Sequence, residues 1–204
     1  MKLYYSPGAC SLACHIVLRE AGLDFDMERV DLRGKQTESG ADFLTINPKG
    51  YVPALALDDG QLLTEGPVIS QYIADQAPAS ELAPAQGSME RYQVQEWLNF
   101  IGSEIHKNFS PLFNPHAPEE YKQICLQNLN RRLEFVADSL KGRNYLLGDR
   151  FTVADAYLFV VLTWGPKFGL HSDRWPSVDA FMHRMRERPA VRAALEAEGL
   201  LRRS

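Results

Sequence analysis

Apolar residues follow two kinds of pattern along the chain, and the change between them comes near residue 80. Before it the runs are short and turn signals separate them. Lys2 to Tyr5 is a brief β-prone run broken by Ser6-Pro7-Gly8. Cys10 to Ala21 carries Leu12 and Ile16 at helical spacing and stops at Gly22. Phe25 to Leu32 reads as a second strand, with Phe25, Met27 and Val30 alternating imperfectly. Lys35 to Gly40 reads as a polar loop, and Ala41 to Ile46 as a short helix ended by Asn47-Pro48. Two further apolar runs flank Asp58-Asp59-Gly60, a hairpin turn signal, and Gly66-Pro67 opens a third helix. The predicted order is βαβα followed by ββα. The strand–helix–strand unit implies a parallel pair and the hairpin adds antiparallel strands, so the sheet is mixed.

Ala77 to Ser88, APASELAPAQGS, has no clean period and reads as a linker. Everything after it reads as helix. Met89 to about Phe109 includes Tyr92, Trp97, Ile101 and Ile105 among its apolar members, and Pro111 to Pro118 interrupts. Helices follow at Glu119 to Leu140, Thr152 to Trp164, Pro176 to Arg186 and Ala190 to Glu198. Thr152 and Asp155 have capping-box spacing, and Phe151 can staple against the next turn, so this segment sets a buried helix start. The expected division is a small α/β domain over 1–78, a linker over 79–87 and an all-helical domain over 88–204. That is a segregated α+β and all-α two-domain arrangement.

Composition narrows the function classes. A formal net charge of −4 argues against nucleic acid as the main partner. No window approaches the roughly 18 apolar residues that span a bilayer. MKLYYSPGAC lacks the apolar core of a secretory leader. Three cysteines, an odd number, fit a reducing compartment better than a disulfide framework, so a cytoplasmic protein is expected.

Candidate chemistry concentrates in two places. In NPKGYVPALALDDGQLLTEG, residues 47–66, Val52-Pro53 starts a strand and is the ordinary kind of bond to be cis, which would turn the Val52 amide groups outward. Thr64, Glu65 and Gly66 lie at a helix N-terminus, where backbone N–H groups collect negative charge. Strand edge and helix start together suit a short, extended peptide with an acidic end. Cys10 stands at the first helix start, where the dipole and free N–H groups favour a thiolate. Cys14, one turn on, reads as core packing. Cys10 and Cys14 lack C-x-x-C spacing, and His15 beside them does not complete a metal set. On the long helix, Asn99, Ser103, His106 and Lys107 fall at i, i+4, i+7 and i+8, a polar stripe with an imidazole able to take a thiol proton or stabilise a thiolate.

The CSLA run from Cys10, NPKGYVPAL, LTEGPVISQYIAD and FTVADAYLF, in that order and spacing, resemble the cytosolic glutathione S-transferases, specifically the bacterial Beta class. The resemblance covers nearly the whole chain. It implies a thioredoxin-like N-terminal domain, an all-α C-terminal domain, and glutathione as co-substrate with no other cofactor and no metal. It implies that Val52-Pro53 pairs with the cysteinyl part of glutathione, with Ala9 and Tyr51 nearby. Glu65 would meet the γ-glutamyl ammonium, Gly66 its carboxylate and Lys35 the glycyl carboxylate. Asn99, Ser103 and Lys107 would reach a glutathione, the first two across a homodimer interface. Cys10 and His106 would flank the sulfur. Other classes use an early Tyr or Ser there, and Tyr5 and Ser11 remain alternatives for a hydrogen bond to the thiolate, though SPGACS resembles the Beta signature. The implied reaction is attack of the glutathione thiolate on a small, often aromatic or halogenated electrophile, in detoxification or xenobiotic degradation. The electrophile would bind between the domains, with Phe109, Phe113, Tyr157 and Trp164 as candidate lining. Two alternatives stand beside it: disulfide exchange or reductive dehalogenation through a Cys10 mixed disulfide, and non-catalytic ligand binding.

Overall fold

The computed structural model describes residues 1–201. Its chain forms two compact units, Met1–Ala83 joined by the segment from Arg188, and Pro84–Glu187.

In the first unit, strand β1 (Lys2–Tyr5) leads into helix α1 (Ser11–Glu20), strand β2 (Asp26–Asp31), the two-residue strand β3 (Gln36–Thr37) and the single turn α2 (Phe43–Ile46). Strands β4 (Ala54–Ala56) and β5 (Leu62–Thr64) and helix α3 (Gly66–Gln76) follow. The sheet order is β3-β2-β1-β4-β5. β1 runs parallel to β2 with Leu3 opposite Met27, and antiparallel to β4 with Leu3 opposite Leu55. The mixed sheet read from the sequence is therefore present. The loop expected over Lys35 to Gly40 is instead opened by β3, antiparallel to β2 through Val30–Thr37 and Asp31–Gln36. Two residues are too few to show a period, so only the pairing reveals them.

Helix α1 is buried from Ser11 to Leu18, around its whole circumference. It packs against α3 and against α9 (Pro189–Ala197), whose apolar face is Val191, Ala194 and Leu195. This differs from the expected helical domain over 88–204, because the chain from Arg188 packs with the first unit; residues 202–204 of that range lie outside the described residues. An amphipathic stripe specifies that a face must be covered and not by which element.

The second unit contains α4 (Met89–Phe100), a π-helical segment Ile101–His106, α5 (Lys107–Phe113), α6 (Glu119–Ser139), α7 (Val153–Thr163) and α8 (Pro176–Glu187). Helix α7 is buried at every position from Val153 to Leu162 and is the core of the unit. Asp155 fastens its start: its carboxylate accepts from Leu146 N–H at 2.8 Å, Thr152 N–H at 2.8 Å and Thr152 Oγ1 at 2.9 Å. The long helix expected over Met89 to Phe109 differs in two ways. Its middle widens into a π turn, and helix continues through Pro111 to Phe113. Pro111 lacks the N–H that would bond the carbonyl of Lys107 one turn back, and the helix continues for only two residues beyond it.

Candidate active site

The first unit brings three loops together. Gly8, with φ of +71°, bends the segment after β1, and its N–H donates to Glu198 Oε2 at 2.9 Å. Ala9 N–H donates to Ser6 O at 3.0 Å, and Cys10 follows as the N-cap of α1. The Cys10 thiol is half-buried and donates to Val52 O at 3.3 Å, so two segments that the sequence singled out meet. Burial pushes this thiol up to about 11, against a smaller pull downward from the N–H groups of Cys10 and Ser11. The expectation of a thiolate stabilised by the helix start is thereby overturned. Desolvation outweighs the helix terminus, and Val52 O rewards the protonated form. Ser11 is buried, with its hydroxyl accepting from Ser6 N–H at 3.2 Å and donating to Ser6 O at 3.3 Å. Both its bonds hold the loop, which corrects its reading as a partner for a thiolate. The Tyr5 phenol is held above its ordinary range by burial and then by Glu198.

The Val52-Pro53 bond is cis. Buried Asn47 positions its approach, donating through Nδ2 to Tyr51 O at 2.8 Å and accepting from Lys49 N–H at 3.2 Å. Tyr51 itself is exposed. Lys35 Nζ donates to Gly50 O at 2.6 Å, which places its ammonium beside this loop. Glu65 is the N-cap of α3 with φ of +71°, a conformation rare for a side-chain-bearing residue and one that clusters at functional sites. Its exposed carboxylate already has a cation, Lys49 Nζ at 2.6 Å, which also reaches Thr64 Oγ1 at 3.0 Å. Gly66 starts α3, with Pro67 behind it, and its carbonyl accepts from Cys14 at 3.6 Å. Cys14 is buried and pushed up to about 12 by that burial, consistent with a packing role. All three cysteines are free. Among the described residues no group of three or more His, Cys, Asp and Glu is arranged to hold a metal.

In the second unit the π turn changes the stripe. A π turn closes i→i+5 bonds, so spacing counted at 3.6 residues no longer lines up Asn99, Ser103, His106 and Lys107. Asn99, Ser103 and Lys107 are exposed, whereas His106 is partly buried with Nδ1 2.6 Å from the Tyr157 hydroxyl. Burial, and secondarily Lys107, push the imidazole down to about 4, so it is neutral at physiological pH. Its ring stands edge-on to Trp164 at 4.9 Å. Of the proposed apolar lining, Phe109 is fully buried and belongs to the core, and Tyr157 is buried beneath His106. Phe113 is exposed, stacks edge-on against Trp164 at 5.7 Å, and carries Lys167 Nζ 5.0 Å above its ring. Sequence reasoning missed Asn47 as the organiser of the cis-proline loop, Lys49 as the partner of Glu65, and Glu198 as a support of the Cys10 loop. It named Tyr157 without its bond to His106. Asn47 and Lys49 had a local signal, their place inside NPKG.

Residues 8–76 match the family described as "Glutathione S-transferase, N-terminal domain" and residues 100–189 "Glutathione S-transferase, C-terminal domain". The chain belongs to the glutathione S-transferase family. Glutathione S-transferase GstA of Escherichia coli O157:H7 is 52% identical over 200 residues, covering 98% of this chain and all of that protein. The solved structure of a sphingomonad glutathione S-transferase complexed with glutathione is 51% identical with a TM-score of 0.95, covering 98% of this chain and 100% of that one. The bacterial beta class enzyme of Sphingomonas chungbukensis is 48% identical, with a TM-score of 0.95 and the same coverages. The resemblance to the Beta class and the fold it implied, a thioredoxin-like sheet domain and a helical domain, are both borne out. No described helix is long and apolar enough to cross a membrane.

Proposed function

We propose that this glutathione S-transferase binds glutathione along the Val52-Pro53 edge and the α3 start, and transfers it to a small hydrophobic electrophile. The observation that carries the reading is the junction of Cys10, Val52 and the Glu65-Gly66 helix start within one unit. The Val52 backbone offers strand-like pairing to a peptide, Glu65 offers a carboxylate for an ammonium, and Lys35 a cation for a carboxylate. The thiol of glutathione loses its proton to solvent; the thiolate attacks carbon and a leaving group such as halide departs. Cys10, protonated and donating its S–H to Val52 O, is not the nucleophile. A mixed disulfide needs the Cys10 thiolate, which burial disfavours, so conjugation is the better supported chemistry.

Phe113 and Trp164, with Lys167 over the Phe113 ring, suit an aromatic partner. A homodimer is proposed because Met89 and Tyr92 on α4 and Phe135 on α6 are exposed, with Phe135 packed on Phe100 at 5.2 Å. Asn99 and Ser103 on the same unit would then face a partner's glutathione. The free cysteines support a cytoplasmic setting. Titration of the ultraviolet thiolate band of bound glutathione tests the mechanism. A pKa depressed below that of free glutathione is expected, and an unchanged one refutes it.

A further inference from the structure

The Glu65 carboxylate has a cation supplied by its own chain, and that cation stands where a ligand's ammonium would. Lys49 Nζ donates to Glu65 Oε1 at 2.6 Å and to Thr64 Oγ1 at 3.0 Å. The contact is built from both sides. Buried Asn47 accepts the Lys49 N–H through Oδ1 at 3.2 Å, and Gly50 N–H donates to Asn47 O at 2.8 Å, which fixes the turn that carries Lys49. Thr64 pairs with Ala54, the residue after Pro53, so Glu65 leaves the sheet beside the same strand start. Glu65 is the N-cap of α3, with φ of +71°. All of these residues lie in the first unit. The side chains of Lys49 and Glu65 are 46% and 51% exposed, so solvent screens the pair and parting it costs little. The Glu65 carboxylate, first through its hydrogen bond, still holds the Lys49 ammonium above the ordinary lysine range.

We propose that Lys49 masks Glu65, and that glutathione binds by exchanging its γ-glutamyl ammonium for that of Lys49. This rests on the transferase reading above and deepens it. Two ammonium groups on one carboxylate repel each other, and the one on a flexible four-carbon stem is the one that swings away. The exchange keeps one cation on Glu65 throughout. Masking acts on selectivity in two ways. It lowers the affinity for glutathione by the cost of parting the pair. It also keeps Glu65 neutralised toward a tripeptide that lacks the ammonium, whose own carboxylate an unpaired Glu65 would repel. Lys49 is therefore a specificity-determining residue, and it narrows the preference for a ligand with an ammonium at this end.

Calorimetry tests this by comparing glutathione with glutaryl-cysteinyl-glycine, the same tripeptide without its ammonium, on the wild type and on Lys49→Met. Glutathione is expected to bind Lys49→Met about two- to fivefold more tightly, the worth of an exposed ion pair, and the deaminated tripeptide no more tightly. Weaker glutathione binding would make Lys49 a ligand contact, and equal tightening of both would make the effect a general one. Either result overturns the proposal. Nitrogen NMR of lysine-labelled wild type reads the exchange directly, with the Lys49 ammonium signal assigned by its loss in Lys49→Met. Saturating glutathione is expected to move that signal toward its place in Glu65→Ala. A signal that keeps its ligand-free position in the glutathione-bound protein overturns the proposal alone. If neither the wild type nor Lys49→Met takes up glutathione, the transferase reading falls and the proposal falls with it.

Discussion

Cys10 offers a direct measurement of whether its thiol is protonated at work. Its sulfur is half-buried and bonded to Val52 O at 3.3 Å, and its pKa is pushed up to about 11. At pH 7 the thiolate is then roughly one part in 10,000, against about 3% for a free cysteine of pKa about 8.5. Iodoacetamide reacts with the thiolate alone, so Cys10 is expected to alkylate roughly 300-fold more slowly than free cysteine at pH 7. Partial burial slows it further. The assay follows the Cys10 peptide by mass spectrometry from pH 6 to 10, with buried Cys14 and Cys125 as internal references. The rate should climb about tenfold per pH unit through pH 10 without levelling. A plateau beginning near pH 7 would mean that the helix start does stabilise a thiolate. It would refute the desolvation argument and return the mixed-disulfide chemistry to contention. Linkage gives a second readout with a definite sign. The folded chain keeps a proton that the unfolded chain releases near pH 8.5, so this group takes stability away as pH rises from about 8.5 to about 11.

Two further substitutions follow from buried acceptors. Asp155→Ala orphans the N–H groups of Leu146 and Thr152 and should cost about 2–5 kcal/mol, read as a lower urea midpoint with an unchanged slope. Burial also raises this carboxyl to about 6, so the wild type loses stability as pH climbs from about 4 to about 6 and then levels; the variant should lack that loss. Glu198→Ala removes the acceptor of His15 Nδ1 at 2.9 Å and of Gly8 N–H at 2.9 Å, both in the first unit. Arg19 Nε donates to His15 Nε2 at 2.8 Å, so the ring's own proton goes to Glu198 and no second acceptor replaces it. The expected cost is about 2–5 kcal/mol, a melting temperature lower by roughly 5–15 °C. A change within 2 °C would show the network to be dispensable.

Local chemistry made several features legible. Gly66-Pro67 announced a helix start, Thr152 with Asp155 a capping box, and Asp58-Asp59-Gly60 a hairpin, because each rests on dihedral preferences or bonds within four residues. The motifs around Val52-Pro53 and Glu65 were found for the same reason. The two-residue β3, the π turn at Ile101–His106 and the docking of α9 on α1 were not legible. The first is too short for a period, the second breaks the spacing by which helical faces are counted, and the third depends on which covered face an amphipathic helix meets.

By itself the sequence determined that a mixed-sheet unit precedes a helical one and where the Val52-Pro53 strand start and the Gly66-Pro67 helix start lie, since patterning and turn chemistry act over short range. Only the tertiary structure decided the protonation of Cys10 and His106. Cys10 stands where a helix start favours a thiolate, yet burial and Val52 O keep it a thiol. His106 stands in a polar stripe, yet burial keeps it neutral and Tyr157 engages its Nδ1. Charge states follow from how much water is excluded and which distant partner arrives, and neither is written in the spacing of neighbours along the chain.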